Sequence, residues 1–351
     1  MAKIRVMVID DSTAIRGLLK SIIQEDPELE WVAEAADPYE ARELIKFYNP
    51  DVLTLDVEMP KMDGLTFLRN LMRLRPMPVI MLSTLTTEGA DVAMKALEIG
   101  AIDCLAKPRM SHPSFLERFT LELNSKLKVA ASSKRHVLRN KKLAETALYR
   151  WECPEQLQNT QLLAIGASTG GTEAIKDVLM ALPESSPPIV ITQHIPAIFS
   201  ARFANRLDKC CRIRVHEAKN NQLVEPGNAY IAPGDFHLRI ERQGGKLWCR
   251  VVQSEPVNLH RPSVDVMFQS LLALDVTRIS AMLLTGMGRD GAEGLLELRK
   301  KGAFTLAQDE GSSMVWGMPG AAVKIGAATR VVSLEEMAKA VVSHWQGIKA
   351  G

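Results

Sequence analysis

The sequence has little of what marks several large protein classes. Its five cysteines are an odd number and form no CxxC pair, so neither a disulfide framework nor a zinc site is expected, and a reducing compartment fits. No apolar run approaches the roughly 20 residues that span a bilayer, and no secretory signal precedes the first strand-like run. The formal net charge is only +2, which argues against a nucleic-acid surface. These absences predict a cytoplasmic protein that does not bind nucleic acid.

The first 108 residues alternate short apolar runs with amphipathic stretches of helical spacing. The apolar runs lie at 4–9, 31–35, 52–55, 79–82 and 102–106. Five strand candidates that alternate with helices predict a parallel, doubly wound α/β sheet. One more helix is predicted at 114–131.

A second alternating pattern begins at Leu162. Strand-like runs at 162–166, 188–193 and 280–286 are each followed by helical spacing, and the stretch 212–252 is rich in strands and turns. This pattern predicts a second doubly wound α/β domain with a β-hairpin insertion. The polar, basic stretch between the two patterns is predicted to be a linker, since it has no apolar seam. The predicted boundaries are 1–130 for the first domain, 131–160 for the linker and 161–349 for the second domain.

Carboxylates follow two strands of the first predicted sheet. Asp10 and Asp11 come after the first strand and Asp56 after the third, and these ends share one edge of a parallel sheet. A divalent cation with oxygen ligands, such as Mg²⁺, would relieve their repulsion. Lys107 and Ser83 end neighbouring strands and supply the cation and hydroxyl that a phosphoryl group on Asp56 would require. For any one of these carboxylates, helix capping is the alternative interpretation.

Together with the segment MPKMDG (59–64), this set resembles the receiver domain of bacterial two-component response regulators. The resemblance covers about residues 3–108 and implies a flavodoxin-like fold in which Asp56 accepts phosphate from a kinase histidine. It implies four Mg²⁺-binding residues: Asp10 through water, Asp11, Asp56 and the backbone carbonyl of Glu58. One position departs from the pattern, because Cys104 stands three residues before Lys107, where receivers often carry an aromatic switch residue.

The segment GASTGG (166–171) lies between a predicted strand and a predicted helix. It fits the G-x-S-x-G pattern, in which a sharp turn exposes a serine beside backbone N–H groups that can stabilise an anion. It does not fit the dinucleotide fingerprint, because Ser168 stands where the second glycine belongs. A glycine-rich turn that only packs a helix onto a sheet is the alternative.

A serine nucleophile needs a base and an acid that orients the base. His194 follows the strand at 188–193, and Asp290 follows the strand at 280–286. With Ser168 they would share the carboxyl edge of one sheet. The chain order Ser…His…Asp differs from the Ser…Asp…His order of α/β-hydrolases, which argues against that fold.

Six segments of the second half resemble the catalytic domain of chemotaxis protein-glutamate methylesterases, the CheB family, which also carries an N-terminal receiver. The segments are GASTGG, QHIP (193–196), APGDFHL (232–238), RPSVDVMF (261–268), LLTGMGRDGA (283–292) and WGMPGAA (316–322). The resemblance implies that Ser168 is the nucleophile, His194 the general base and Asp290 the residue that orients His194. It places Thr169 and Met287 on the oxyanion side.

The same resemblance implies hydrolysis of glutamyl γ-methyl esters on the cytoplasmic helices of chemoreceptors, with glutamate and methanol as products. Some members of the family also deamidate glutamine. It implies a chemotaxis histidine kinase as phosphodonor, Mg²⁺ in the receiver, no cofactor in the esterase site, and only peripheral contact with membrane-bound receptors.

Two other functional classes are weighed against this interpretation. A response regulator whose output domain only binds a partner would not need Ser168, His194 and Asp290 together, and the sequence shows no basic recognition helix. A nucleotide-binding oxidoreductase is disfavoured by the incomplete glycine fingerprint.

Overall fold

The computed structural model describes residues 2–84, 87–108, 113–132 and 160–347. The chain divides into two compact units, Met1–Ala144 and Glu145–Gly351. The predicted linker at 131–160 lies outside the described residues except at its two ends. Its limits, and with them the predicted domain boundaries, therefore stay predictions. Within the described ranges, no helix combines the length and the apolar content that crossing a membrane requires.

The N-terminal unit alternates strands and helices. Its strands are β1 (Ile4–Ile9), β2 (Leu29–Ala35), β3 (Val52–Asp56), β4 (Val79–Ser83) and β5 (Asp103–Ala106). Its helices are α1 (Thr13–Glu25), α2 (Pro38–Tyr48), α3 (Gly64–Leu74), α4 (Thr87–Ile99) and α5 (Pro113–Ser132). The strands form one parallel sheet in the order β2-β1-β3-β4-β5, which confirms the predicted five-stranded, doubly wound fold.

Local chemistry explains why the helices begin where they do. The side chains of Ser12 and Asp63 cap α1 and α3 by accepting backbone N–H bonds at 3.4 Å and 2.9 Å, as N-cap residues do. A Cβ at Gly64 would collide with the backbone oxygen of Asp56, so only glycine lets α3 start directly against the end of β3. Strand order reverses between β1 and β3, and this opens a crevice at their carboxyl ends.

The C-terminal unit contains a seven-stranded sheet in the order β15-β14-β13-β6-β7-β10-β8, all of whose pairings are parallel. Its strands are β6 (Leu162–Ala167), β7 (Ile189–Gln193), β8 (Arg214–Glu217), β10 (Asn228–Ile231), β13 (Ile279–Leu283), β14 (Phe304–Gln308) and β15 (Arg330–Val332). The helices are α6 (Gly171–Ala181), α7 (Ala197–Cys210), α8 (Val264–Leu271), α9 (Ala292–Lys300), α10 (Met318–Lys324) and α11 (Leu334–Gly347).

A separate three-stranded sheet forms the predicted hairpin insertion. Strands β11 (His237–Gln243) and β12 (Lys246–Val252) pair antiparallel, and β9 (Gln222–Leu223) lies against β12. In the larger sheet, β6 lies between β13 and β7. The loops that follow these three strands therefore meet at one place on the carboxyl edge, and they carry Ser168, His194 and Asp290.

Candidate phosphoacceptor and serine-hydrolase sites

The acidic residues predicted in the N-terminal unit come together at the crevice between β1 and β3. Asp10 and Asp56 are buried, and Asp11 is exposed at the rim. The Nζ of Lys107 lies 2.8 Å from Asp10 Oδ2 and 2.8 Å from Asp56 Oδ2. Ser83, at the end of the neighbouring strand β4, is fully buried. Lys107 is thus assembled with the two buried carboxylates, and Ser83 lies at the end of the strand next to β3.

The same three carboxylates fit a bound divalent cation. One carboxylate oxygen from each of Asp10, Asp11 and Asp56 lies within 4.8 Å of the others. Such a set of hard oxygen donors is typical of Mg²⁺ sites. The predicted fourth ligand, the backbone carbonyl of Glu58, belongs to the loop that follows Asp56, so the four predicted ligands lie at the end of β3 or in the loops that follow β1 and β3.

Burial makes Asp56 a weaker acid than an ordinary aspartate. Loss of solvation raises the pKa of Asp56 to about 6, and the negative charge of Asp10 adds to this, while the hydrogen bond from Lys107 opposes it. For Lys107, burial lowers the pKa, but the bonds to the two carboxylates outweigh burial and raise it. Lys107 is therefore held charged beside Asp56.

We predict that Asp56→Asn stabilises the N-terminal unit in metal-free buffer near neutral pH. The folded-state pKa of about 6 exceeds the ordinary value of 3.8, so the folded state binds more protons between these values. The contribution of Asp56 to stability is then fully present below pH 3.8 and is lost as pH rises through about 6. The variant should gain roughly 3 kcal/mol at neutral pH and little near pH 4.

Amide hydrogen exchange of β1 and β3 in the full chain would measure this gain. Glu25→Gln, which removes an exposed carboxylate at the end of α1, is the matched control and should show no such pH-dependent gain. Equal stability of Asp56→Asn and the parent chain at neutral pH would contradict the assigned burial cost.

Cys104 occupies the position where receivers often carry an aromatic residue. Its side chain is buried, its Sγ donates to the backbone oxygen of Ala93 at 3.3 Å, and burial raises the pKa of the thiol. An inert buried thiol has no ring to rotate between two positions. The predicted departure from an aromatic switch is therefore consistent with the surroundings of Cys104.

In the C-terminal unit, Ser168 sits on a tight turn between β6 and α6. The Ser168 N–H donates to Thr285 O at 3.0 Å, and Ser168 O accepts from Gly171 N at 2.7 Å. The Gln193 side-chain Nε2 donates to Ser168 O at 2.8 Å and to His194 O at 3.1 Å. One buried amide thus ties together the backbones that carry Ser168 and His194.

The three predicted hydrolase residues form a continuous chain of hydrogen bonds. His194 Nδ1 lies 3.1 Å from Ser168 Oγ, and His194 Nε2 lies 2.8 Å from Asp290 Oδ2. Burial alone would raise the pKa of Asp290, but hydrogen bonds from His194 and other donors hold it well below the usual range. An ionised Asp290 can only accept, so in the neutral imidazole Nε2 carries the proton and Nδ1 is left to accept from the serine hydroxyl.

The carboxylate of Asp290 is held by four donors besides His194. They are Asn258 Nδ2 at 2.8 Å, Ser263 Oγ at 2.8 Å, Val264 N at 2.6 Å and Asp265 N at 3.2 Å. Two of them are backbone N–H groups at the start of α8, where a negative charge is favoured. Asp290 is therefore fixed in both position and charge.

Several residues of this site were not predicted from the sequence. The ring of His260 stacks on that of His194, with centroids 3.6 Å apart and planes 15° from parallel. Asn258 donates to Asp265 Oδ2 at 2.7 Å as well as to Asp290. These residues lie in a loop without strand-end placement, and their only sequence signal is proximity to the RPSVDVMF segment.

The predicted oxyanion residues flank Ser168 on two sides. Thr169 follows it directly and is buried. Met287 follows Gly286, at which a Cβ would lie 2.8 Å from the Cβ of Ser168, so only glycine permits this approach. The Ser168 N–H already donates to Thr285 O. That N–H is therefore already engaged, and Met287 stands next to the closest approach of the neighbouring loop to Ser168.

Comparison with known proteins finds two family models that match the chain. Residues 163–341 match the family model described as CheB methylesterase, and residues 6–116 match that of the response regulator receiver domain. The chain belongs to the CheB methylesterase family. The predicted receiver and methylesterase folds are thereby confirmed, each in its own unit.

Relatives in the CheB family match along the whole chain. The protein-glutamate methylesterase/protein-glutamine glutaminase of Nitrosomonas europaea is 48% identical over 350 residues, which cover 99% of this chain and 98% of the relative. The protein of the same name from Thiobacillus denitrificans is 49% identical over 346 residues, covering 98% and 97%. The CheB methylesterase catalytic domain of Thermotoga maritima aligns with a TM-score of 0.51 and 34% identity, covering 52% of this chain and 98% of that domain.

Proposed function

We propose that the C-terminal unit hydrolyses glutamyl γ-methyl esters on chemoreceptor helices, and that phosphorylation of Asp56 in the N-terminal unit regulates this activity. The observation that carries the proposal is the hydrogen-bonded chain from Ser168 through His194 to Asp290. Membership of the CheB family supports the choice of substrate. The proposed setting is the cytoplasm, with contact to membrane-bound receptors from outside the bilayer.

The proposed reaction begins with Ser168. As its Oγ attacks the ester carbonyl, His194 Nδ1 takes the hydroxyl proton and Asp290 stabilises the resulting imidazolium through Nε2. The negative charge that develops on the carbonyl oxygen is stabilised by backbone N–H groups on the oxyanion side, for which Met287 and Thr169 are the candidates.

The intermediate then collapses and methanol leaves with the proton held by His194. A glutamyl ester of Ser168 remains, and a water molecule activated by His194 hydrolyses it to glutamate. An amide could pass through the same steps with ammonia as the leaving group. The relatives' names include protein-glutamine glutaminase, so we extend the proposal to deamidation of receptor glutamines. No cofactor is proposed for this site.

In the N-terminal unit, we propose that a chemotaxis histidine kinase transfers its phosphoryl group to Asp56. Mg²⁺ would be held by Asp11, Asp56 and the Glu58 backbone carbonyl, with Asp10 acting through water. The cation would offset the charge that gathers on the phosphoryl oxygens. Lys107 and the Ser83 hydroxyl would contact those oxygens once the group is attached.

We predict that Asp56→Asn abolishes stimulation of methanol release by a phosphodonor, because the amide cannot accept a phosphoryl group. Unstimulated hydrolysis should persist, since Asp56 belongs to a different unit from the serine site. The measurement is methanol release from methylated receptor membranes with and without acetyl phosphate and Mg²⁺.

Asp51→Asn provides the control. Asp51 directly precedes β3, the strand that ends at Asp56, and its carboxylate accepts a hydrogen bond from Arg5 N. This variant should retain stimulation. Full stimulation of the Asp56→Asn variant would show that another residue receives the phosphoryl group.

A further inference from the structure

A tight turn at 257–260 stands beside the serine site. Val257 and His260 exchange two backbone hydrogen bonds, Val257 N to His260 O at 3.0 Å and His260 N to Val257 O at 2.9 Å. The two residues between them, Asn258 and Leu259, have φ values of 52° and 68°. Two left-handed residues between a closely bonded pair are the signature of a type I′ turn.

Two members of the candidate triad hold this turn in place. The Asn258 side chain donates to Asp290 Oδ1 at 2.8 Å. The His260 ring stacks on His194 at a centroid distance of 3.6 Å. The residue between Asn258 and His260 is therefore fixed at the rim of the site rather than on a free loop.

The residue at the tip is Leu259, whose side chain is 81% exposed. The second central position of a type I′ turn strongly favours glycine, because a side chain there meets its own backbone. An exposed leucine also gains almost no burial within the part of the chain that the structure describes. Folding of this turn would be served better by glycine than by leucine.

We propose that Leu259 is a substrate-contacting residue that packs against an apolar side chain of the receptor helix that carries the methyl ester. This inference rests on the proposed function and adds a specificity determinant to it. Val257, which is 37% exposed at the base of the turn, would extend the same contact. The turn thus supplies the apolar part of a binding rim whose polar part is the triad.

The geometry of a helical substrate is the reason for proposing an apolar side chain of the receptor helix as the partner of Leu259. A glutamyl ester is a short side chain, so its helix must come down onto the rim before the carbonyl reaches Ser168. Residues three and four positions away on that helix then face the enzyme on the same side. A protruding leucine next to His260 is placed to meet an apolar residue among them, and a small free ester would make no such contact.

The test compares two substrates in the full-length protein. Chemoreceptor membranes carrying labelled methyl esters report the protein substrate, and p-nitrophenyl acetate reports the triad alone. For Leu259→Gly, which suits the turn, we expect the ratio of the two kcat/KM values, protein over small ester, to fall about fivefold to tenfold, mainly through KM. Leu259→Asn should lose the same contact, and Leu259→Met should keep the ratio near that of the parent.

Met180→Ala is the matched control, because Met180 is 40% exposed near the end of α6 that lies away from Ser168. It should not change the ratio. An unchanged ratio in both Leu259→Gly and Leu259→Asn would overturn the inference, as would an equal loss on both substrates, which would mean that the turn acts through His194.

Two further results would also overturn it. If Leu259→Gly raised unstimulated receptor hydrolysis and removed the response to a phosphodonor, the occupant would be the N-terminal unit of the same chain. If the parent chain cleaved p-nitrophenyl acetate but released no methanol from receptors, the proposed function would fail. The proposed contact between Leu259 and a receptor helix would then fail as well. If the parent chain released methanol from receptors and the Leu259 variants merely left the ratio unchanged, the proposed function would stand and only the role of Leu259 would be lost.

Discussion

Ser168→Ala is expected to reduce methanol release from methylated receptors to background. Among the described contacts, Ser168 Oγ is the one hydroxyl oxygen within reach of His194 Nδ1, at 3.1 Å. The substitution removes it. Loss of the nucleophile in serine hydrolases of this kind costs on the order of 10⁶-fold in kcat. The remaining rate would come from backbone donors and substrate positioning, which the variant keeps.

The measurement is single-turnover release of labelled methanol, paired with mass spectrometry after exposure to a fluorophosphonate. The parent chain should gain one adduct on Ser168 and the variant none. Ser254→Ala, which removes an exposed hydroxyl, should behave as the parent does. If the Ser168→Ala variant still released methanol at a substantial fraction of the parent's rate, the nucleophile would have to be another group.

The sequence predicted that the three candidate hydrolase residues lie together because Ser168 and His194 directly follow strands and Asp290 lies in the loop after a third strand. A parallel sheet brings the carboxyl ends of its strands to one edge, so a correct assignment of β6, β7 and β13 already brings Ser168, His194 and Asp290 close to each other. The same reasoning gathered Asp10, Asp56 and Lys107 in the other unit. The placement of a residue at a strand end can be inferred from the local sequence alone, without a three-dimensional structure.

Contacts made by loops could not be predicted in this way. Asn258 and His260 are separated from Asp290 and His194 by long stretches of chain, and no periodic pattern links them. The sequence also gives no sign that Thr285 O takes up the Ser168 N–H. Which imidazole nitrogen faces the serine is likewise a matter of three-dimensional orientation, and here it is Nδ1.

The two strands at one end of the larger sheet, β14 and β15, show a related limit. Neither β14 nor β15 was predicted. The run Phe304–Gln308 is short and follows a helix closely, so its apolar residues are easily absorbed into that helix, and Arg330–Val332 has only three residues, two of them exposed. Pairing with neighbours rather than intrinsic preference stabilises such strands. The burial of adjacent acids is likewise not predictable from the sequence. Only the fold determines that Asp10 is buried while Asp11 is exposed.

Asp290→Asn is expected to lower kcat by about 10⁴-fold, the loss seen when the orienting acid of a serine triad becomes an amide. Asp290 accepts the proton of His194 Nε2 at 2.8 Å. An asparagine can present its NH₂ group to Nε2 instead, and the imidazole proton then moves to Nδ1. In that tautomer Nδ1 donates toward Ser168 Oγ and cannot take its proton, so the nucleophile loses its base although every ring atom stays in place.

The neighbouring buried carboxylate makes a stringent control. Asp265 shares the Asn258 amide with Asp290, and the hydrogen bonds described for it do not include one to His194. Burial raises the pKa of Asp265, and the charge of Asp290 adds to this, so Asp265→Asn removes a carboxylate at little electrostatic cost. It should lose less than about tenfold in kcat, the scale of a disturbed hydrogen bond. A similar loss in both variants, with folding intact by circular dichroism, would mean that the acidic pair acts through local structure and that Asp290 does not set the tautomer of His194.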